Sequence, residues 1–274
     1  MMRMEPKGTC DSMPKVWSMC GRFVSATEPD ELAKYFGAAP PEALLPENYN
    51  VAPTVDIYAL VGDTSGEVDI ASSAAAEPVN LPAPERRMET FHWGLVPMWA
   101  KEQKVSYRMI NARAETVATK NSFRSAFKRR RCLIPATGFF EWKVVGKDEK
   151  GKPKKQPYFI HRPDGEPLAM AGLWERWLGP DKDWDQALHS ATIITTEAND
   201  FMSDLHDRMP VFLPPHRWDE WLDPQNDDTE SLQELLVPAG PGLLDAHMVD
   251  PKVGNVGNRG PELIDPFTPD PTLG

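Results

Sequence analysis

The sequence predicts an α+β protein with a single domain that is built on a curved, mostly antiparallel β-sheet. Many short apolar runs bounded by Gly, Pro, Asn or Asp occur along the chain, and such runs are typical of strands. Only a few short segments have helical periodicity. No internal repeat is present. Many short strands with few helices favour an antiparallel sheet over a parallel one.

The apolar runs predict nine strands, at residues 19–25, 55–61, 91–96, 110–113, 131–135, 138–143, 158–162, 168–174 and 191–195. Helical patterns predict five helices, at residues 29–36, 122–128, 197–205, 217–222 and 231–236. Thr27 is the predicted N-cap of the first helix, because Pro29 and two acidic residues follow it. Ala-, Ser- and Pro-rich residues 65–87 predict a long loop, and residues 147–155 predict a charged hairpin loop.

Composition limits the class of protein. The 274 residues suit one large domain with a real core. No apolar run approaches the roughly 20 residues that span a bilayer, and residues 1–18 do not resemble a secretory signal. Three cysteines are too few for a disulfide framework, and neither paired CxxC motifs nor HExxH is present. We therefore expect a cytoplasmic protein without a metal, a cofactor or a membrane partner.

Charge is distributed unevenly along the chain. The net charge of −11 argues against nucleic-acid binding when it is taken alone. Residues 101–162, however, contain 17 Lys and Arg against five Asp and Glu, which leaves −23 for the rest of the chain. Such asymmetry is typical of a local basic groove on an acidic protein, although a solvated basic face would give the same count.

Cys20 is a candidate nucleophile because it directly follows Met19 and precedes Gly21. If translation began at Met19 and that methionine were removed, Cys20 would carry both a thiol and a free α-amine. An α-amine has a pKa near 8, so a useful fraction is neutral at pH 7 and can add to an aldehyde. The neighbouring thiol can then close a five-membered thiazolidine ring. A buried structural cysteine is the ordinary alternative.

Four further residues have side chains suited to this chemistry. Glu141 lies among aromatic residues, where poor solvation raises the pKa of a carboxyl group and makes it a better general acid or base. Alternatively, Glu141 faces outward and pairs with a lysine. His206 precedes Asp207, which can hold its tautomer, although such pairs are often surface structure. Asn111 and Arg113 share one face with Glu115 if that segment is extended, and arginine can grip a phosphate.

Aromatic residues adjoin the basic groups, as in proteins that hold single-stranded nucleic acid by stacking. The alternative is that most of these rings pack in the hydrophobic core. They are Trp93, Trp99, Tyr107, Phe123, Phe127 and Trp142.

Ordered sequence blocks together resemble the SRAP family, the SOS response-associated peptidases or abasic site processing proteins. They run from Met19 to about Pro266, which makes residues 19–266 an SRAP-like domain and residues 267–274 a disordered tail. The blocks are MCGRF (19–23), NYNVAPT (48–54), WGLVPMWA (93–100), INARAET (110–116), CLIPATGFFEWK (132–143), AGLWE (171–175), TIITTEAN (192–199), LHDRMPVFL (205–213) and VGNVGNRGPELI (253–264).

The resemblance implies a barrel-like sheet with peripheral helices and a basic cleft. It also implies capture of abasic sites in single-stranded DNA through an N-terminal cysteine, which makes the protein nucleoid-associated when it is bound. By position in the matching blocks, the implied catalytic residues are Cys20, Asn111, Glu141 and His206. The implied DNA contacts are Arg22, Asn50, Arg113, Thr195 and Arg208, with Trp99 as the stacking residue.

One departure from the family pattern concerns the N-terminus. The family cysteine is residue 2, whereas the matching cysteine here is residue 20. Residues 1–18 are therefore expected to be absent from the mature protein or removed from it, and autoproteolysis is one route of removal. Two other functions stay open: a Cys–His peptidase that uses Cys20 and His206, and a non-enzymatic binder of single-stranded DNA that needs Arg113 and Trp99 but not Cys20.

Overall fold

The computed structural model describes residues 21–62, 86–183 and 187–269 of the chain. Cys20, the N-terminal extension and most of the loop predicted at 65–87 lie outside the described residues, and so do residues 270–274 of the predicted tail. Within that tail, the backbone N–H of Phe267 donates to the carbonyl of Met248 at 2.8 Å.

Five short α-helices are present in the described ranges, and each corresponds to a helix predicted from the sequence. They are α1 (Pro29–Phe36), α2 (Arg124–Arg129), α3 (Asp200–Ser203), α4 (Trp218–Leu222) and α5 (Thr229–Glu234). The predicted N-cap of α1 was wrong, because Glu28 and not Thr27 occupies that position. The Thr27 hydroxyl lies 3.2 Å from the Thr137 hydroxyl, so a tertiary partner has replaced the local capping bond.

Thirteen strands supply the framework of the described chain. They are β1 (Phe23–Ser25), β2 (Ala38–Ala39), β3 (Asn48–Val51), β4 (Asp56–Val61), β5 (Arg86–Trp93), β6 (Asn111–Arg113), β7 (Arg131–Ala136), β8 (Gly138–Lys147), β9 (Pro153–His161), β10 (Leu168–Trp177), β11 (Leu188–Glu197), β12 (Arg208–Pro210) and β13 (Asp245–Met248). The sequence did not predict β2, β3, β12 or β13, which are only two to four residues long. It also placed the ends of β5, β8, β9 and β10 too early or too late by several residues.

The larger sheet has the order β12-β11-β10-β7-β4-β5-β2. An additional parallel pairing of β5 with β11 joins Ser190 to His92 and Ala191 to Trp93. This pairing closes strands β11, β10, β7, β4 and β5 into a ring. The predicted barrel-like, mostly antiparallel fold is therefore confirmed, with parallel pairings only at β2–β5, β5–β11 and β6–β11 within the described chain.

The smaller sheet has the order β13-β9-β8-β1-β3 and carries the strand that contains Glu141. An apolar cluster joins the two sheets: it includes Phe23 and Phe139 of the smaller sheet, and Ile193 and Met170 of the larger. The rings of Phe139 and Phe212 lie 5.9 Å apart across this interface. Burial of this cluster fixes the position of β8 against the barrel.

None of the helices in the described ranges is long and apolar enough to cross a membrane. Among the same residues, no group of His, Cys, Asp and Glu side chains is arranged to hold a metal ion.

Candidate catalytic site and nucleic-acid interface

Glu141 lies in β8, where the strand passes β1. The two strands are antiparallel, with Phe23 opposite Phe139, and the N–H of Phe140 donates to the carbonyl of Arg22 at 3.0 Å. Continued by two residues, this register brings Gly21 opposite Glu141. The Glu141 residue is only 4% exposed, which agrees with the poorly solvated position expected from its aromatic neighbours.

Asn111 begins β6, a strand held from two sides. It pairs in parallel with Ile193 of β11, and the N–H of Ile193 donates to the carbonyl of Ile110 at 3.1 Å. The indole N–H of Trp93 donates to the same carbonyl, also at 3.1 Å. The amide side chain of Asn111 therefore projects from backbone that the buried core fixes, as a substrate-positioning residue requires.

Arg113, Thr195 and Arg208 come together because β6 and β12 both pair with the end of β11. Thr195 lies opposite Arg113 on one side and opposite Pro210 on the other. The guanidinium of Arg208 donates to the Thr195 carbonyl at 2.7 Å. Arg113 is exposed, whereas Thr195 is fully buried. Two cationic side chains thus share one edge of the barrel, as the predicted phosphate contacts require.

Glu115 joins Arg113, Thr195 and Arg208 at this edge, but not in the way that the sequence predicted. The predicted alternation of Asn111, Arg113 and Glu115 along one strand was wrong beyond Arg113, because a 3-10 turn begins at Ala114. That turn brings the Glu115 carboxylate onto Arg208 as a two-pronged ion pair, with Oε2 at 2.9 Å from Nη2. The bond from Arg208 holds the pKa of Glu115 below its usual value. The only signal in the sequence was a carboxylate close to a predicted phosphate-binding arginine.

His206 has two neighbours at Nδ1. The backbone N–H of Arg208 donates to Nδ1 at 3.1 Å, and Oδ1 of Asp207 lies 2.9 Å from the same atom. These contacts exclude each other, since the first needs a lone pair on Nδ1 and the second a proton. We assign the backbone contact to the resting state, because the Asp207 side chain is 88% exposed while the backbone donor is fixed.

The two arrangements give His206 opposite roles at Nε2. With the Arg208 N–H bound to Nδ1, the neutral ring carries its proton on Nε2 and can donate it. With a proton on Nδ1 held by Asp207, Nε2 of the neutral ring becomes a base. A change of partner on one side therefore converts the other side between acid and base.

Arg22 and Asn50 make internal contacts. Arg22 donates to Oδ1 of Asn50 at 2.8 Å, and its guanidinium lies 5.9 Å from the centre of the Trp142 ring. The Asn50 amide nitrogen donates to the carbonyls of Val253, Asn255 and Asn258. Burial lowers the pKa of Arg22 from its ordinary value. This pair holds the 253–258 segment against β3.

Trp99 is 62% exposed in the loop that follows β5. The loop is anchored at both ends. Gly94 has a φ of +120° and lies so close to the Ser106 carbonyl that a Cβ would come within 2.5 Å of that oxygen. Further along, the indole N–H of Trp177 donates to the Ala100 carbonyl at 2.8 Å. A large exposed ring on an anchored loop suits base stacking.

Three of the four predicted catalytic residues, Asn111, Glu141 and His206, flank one apolar cluster. Ile110, which precedes Asn111, and Met209, which follows Arg208, belong to the same buried cluster as Phe139. Leu205, which precedes His206, packs against it. The cluster therefore links the backbone positions of Asn111, Glu141 and His206, although they belong to separate blocks of the sequence.

Comparison with known proteins identifies relatives over nearly the whole chain. A family model described as SOS response associated peptidase (SRAP) matches residues 19–256. The protein is 38% identical to the abasic site processing protein YoqW of Bacillus subtilis (strain 168), over 252 residues that cover 90% of this chain and 99% of the relative. It is 33% identical to the abasic site processing protein YedK of Escherichia coli (strain K12), over 258 residues that cover 90% of this chain and 100% of the relative.

Solved structures agree in fold. A protein from Bacteroides thetaiotaomicron superposes with a TM-score of 0.70 at 24% identity, covering 91% of this chain and 100% of its own. A protein from Bordetella bronchiseptica superposes with a TM-score of 0.62 at 27% identity, covering 84% of this chain and 100% of its own. With a family match over most of its length and full-length relatives above 30% identity, this chain belongs to the SOS response associated peptidase (SRAP) family.

Proposed function

We propose that this protein processes abasic sites in single-stranded DNA and retains the damaged strand as a covalent adduct on Cys20. The relatives named above, YoqW and YedK, are abasic site processing proteins. The function proposed for this chain extends that description in two respects, the single-stranded substrate and the covalent bond.

One observation carries the covalent part of the proposal, the register of β1 against β8. It brings Gly21 opposite the buried Glu141. Cys20 lies outside the described residues, but one peptide bond joins it to Gly21, and Cα atoms across such a bond are about 3.8 Å apart. An amine and a thiol on residue 20 would therefore act within reach of the Glu141 carboxyl group.

The chemistry begins with the open-chain form of the abasic sugar, which carries an aldehyde at C1′. The neutral α-amine of Cys20 attacks this carbon, and loss of water gives a Schiff base. The Cys20 thiol then adds to the imine carbon, its proton passes to the nitrogen, and a thiazolidine ring results. Glu141 assists ring opening of the sugar and the loss of water, His206 serves as the second proton donor and acceptor, and Asn111 positions the sugar.

DNA contacts on the barrel edge hold the strand for this reaction. Arg113 is exposed and Arg208 exchanges its Glu115 partner for a phosphate group, which accepts the same two-pronged hydrogen bonds as a carboxylate. Trp99 stacks on a base, and Thr195 holds Arg208 through its carbonyl. Asn50 is buried and supports this surface indirectly, because its Oδ1 accepts a hydrogen bond from Arg22, which lies beside Trp142.

Two further activities belong to the same proposal. If the thiol fails to capture the imine, a base removes a proton from C2′, the C3′–O bond to the 3′-phosphate breaks, and the strand is cleaved, which is lyase activity. Cys20 must become the N-terminal residue before the reaction, because a peptide bond from Met19 leaves it no free α-amine; either translation begins at Met19 and that residue is removed, or residues 1–19 are cleaved off. Autoproteolysis by Cys20 as a thiolate is the route that the family description suggests.

The test uses mature protein and a single-stranded oligonucleotide with one abasic site. Cys20→Ser keeps the α-amine and loses the thiol, so we expect a product that survives only after borohydride reduction, together with strand cleavage. Cys132→Ala is the matched control: Cys132 is fully buried and burial raises the pKa of its thiol, so the stable adduct should form at the wild-type rate.

Mass spectrometry of the purified protein completes the test. We expect the active species to begin at Cys20. A heat-stable adduct of normal yield on Cys20→Ala protein, or an adduct formed by protein that still carries residues 1–19, would overturn the proposal.

A further inference from the structure

A basic hairpin extends from the strand that carries Glu141. It comprises residues 143–155, where β8 turns into β9. Six lysines oppose two acidic residues in it, although the whole chain has a net charge of −11. The lysines are Lys143, Lys147, Lys150, Lys152, Lys154 and Lys155. The hairpin is thus a local concentration of positive charge on an acidic protein.

The turn of the hairpin is built by one of its two acidic residues. Oδ1 of Asp148 accepts the backbone N–H groups of Lys150 and Lys152, at 2.9 and 2.8 Å. The Asp148 N–H donates to the carbonyl of Lys152, and Gly151 has a φ of +75°. The predicted charged hairpin is therefore present, but its loop is shorter than the predicted 147–155, because β8 reaches Lys147 and β9 begins at Pro153.

The lysines of the turn are available to an external anion. Lys147, Lys150, Lys152 and Lys154 are exposed, and none of them forms an ion pair within 4 Å of a carboxylate in the described part of the chain. The exposed apolar side chains nearby are Val144 and Val145, which lack rings for stacking on bases. A sequence-independent contact to phosphate therefore fits this surface better than base recognition.

The position of the hairpin relative to the candidate site follows from strand geometry. The turn begins seven residues beyond Glu141 along β8, which corresponds to about 23 Å. Lys143 lies between the two, and it shares a face of β8 with Glu141 because it is two residues further along the strand. Lysines thus continue along the strand from Lys143, next to the candidate site, to the turn.

We propose that the basic hairpin binds the phosphodiester backbone of the DNA that flanks the abasic site. This inference rests on the proposed function and extends it from the damaged nucleotide to its flank. At the rise of duplex DNA, about 3.4 Å per nucleotide, 23 Å corresponds to about seven nucleotides, and to fewer when a single strand is stretched. The charge alone would also suit an acidic protein, but DNA bound at Glu141 already lies on the strand whose lysines lead from Lys143 to the turn.

The experiment measures binding separately from chemistry. Fluorescence anisotropy gives the affinity of the mature protein for undamaged single strands of 6 and 30 nucleotides, and for a 30-nucleotide strand with a duplex flank on either side. The hairpin variant is Lys147→Gln, Lys150→Gln, Lys152→Gln and Lys154→Gln combined. The control variant removes the same charge from exposed lysines elsewhere: Lys34→Gln, Lys120→Gln, Lys128→Gln and Lys182→Gln.

We expect the hairpin variant to bind the long strands about tenfold more weakly at 0.1 M salt and with a smaller salt dependence, while binding of the 6-nucleotide strand is unchanged. The control variant should bind the long strands nearly as well as the wild type. The arm with the larger loss tells whether a single-stranded or a duplex flank is held.

Equal loss in the hairpin and control variants, or unchanged binding of every long strand, would overturn the inference. Adduct formation on a short abasic oligonucleotide is measured in parallel. Failure of that reaction in the wild type would reject the covalent function and leave the binding result intact.

Discussion

Two arginine–glutamate pairs flank opposite ends of β11 and differ in their exposure to solvent. Arg208 and Glu115 meet beside Thr195, near the end of the strand. Arg130 and Glu175 meet at 2.9 Å beside the start of the strand, where Glu175 lies opposite Ser190. About 17 Å of strand separates the two places. The Glu115 side chain is 48% exposed and that of Glu175 only 6%.

The same pair of side chains has opposite electrostatics in the two places. The bond from Arg208 lowers the pKa of Glu115. Burial raises the pKa of Glu175, and the attraction of Arg130 only partly offsets this. A buried pair is costly to separate, because either charge would be left without water. Glu115 is exposed and can leave Arg208 for water, whereas Glu175 cannot leave Arg130 in this way, so the Arg208 end of the barrel suits DNA binding and the Arg130 end suits structure.

The largest expected effect is on stability, from Arg130→Met. This change leaves the Glu175 carboxylate buried without its cation and should lower the free energy of unfolding by about 3–5 kcal/mol. Urea unfolding at pH 7 measures it. The double variant with Glu175→Leu should regain much of the loss. A loss below about 1 kcal/mol in the single variant would mean that the two pairs do not differ as their burial indicates.

Arg208→Met should affect DNA more than stability. Loss of charged hydrogen bonds to phosphate is worth about 1.5–3 kcal/mol, so affinity for single-stranded DNA should fall roughly 10- to 100-fold. The free energy of unfolding should fall by only about 1 kcal/mol. Arg217→Met is the matched control, since Arg217 pairs with Glu220 at the surface of α4. Equal DNA affinities for the two variants would argue against a role for Arg208.

The pH dependence of stability should have opposite signs at the two carboxylates. Because the folded pKa of Glu175 is raised, its contribution to stability is present below the unfolded pKa and is lost as pH rises through the folded pKa. Glu115 has a lowered folded pKa, so its contribution is present above the unfolded pKa and is lost as pH falls through the folded one.

Urea unfolding of Glu175→Gln and Glu115→Gln between pH 3 and 8 tests this difference. The wild type should lose stability through Glu175 as pH rises above about 4.5, and Glu175→Gln should not show this loss. The wild type should lose less stability through Glu115 as pH falls below about 4.5, and Glu115→Gln should not show that loss. Curves that stay parallel to the wild type for both variants would contradict the assigned shifts.

The smallest expected effect comes from Glu115→Gln on DNA binding. The change frees Arg208 from a competing carboxylate, so affinity for single-stranded DNA should rise about threefold, and its salt dependence should steepen. Anisotropy titrations over a range of salt concentrations measure both. A fall in affinity would show that Glu115 orients Arg208 for DNA and does not compete with it.

Residues that are neighbours in the sequence gave the most reliable predictions about the site. The strand GFFEW predicted a poorly solvated Glu141, and the structure buries that residue. The neighbours His206 and Asp207 predicted a carboxylate close to the imidazole, and Oδ1 of Asp207 lies 2.9 Å from Nδ1, although the Arg208 N–H competes for the same atom. These contacts depend on residues one or two positions apart, which a sequence displays directly.

The partners of Asn50, Arg208 and Thr27 could not be predicted in this way. Asn50 binds a segment more than 200 residues away, and Arg208 meets Glu115 across 93 residues. Thr27 was expected to cap a helix and instead contacts Thr137. Such choices depend on which strands pair, and pairing depends on burial of the whole core.

By itself, the sequence determined the family, the antiparallel class, the helix positions and the identity of the candidate reactive groups. Residue type and short-range periodicity are properties of the chain alone, and they suffice for those conclusions. Only the tertiary structure decided the closure of the barrel through β5 and β11, and the exposure of each arginine–glutamate pair. Solvation makes one of those pairs structural and leaves the other open to exchange, and solvation is set by what the folded chain places around each charge.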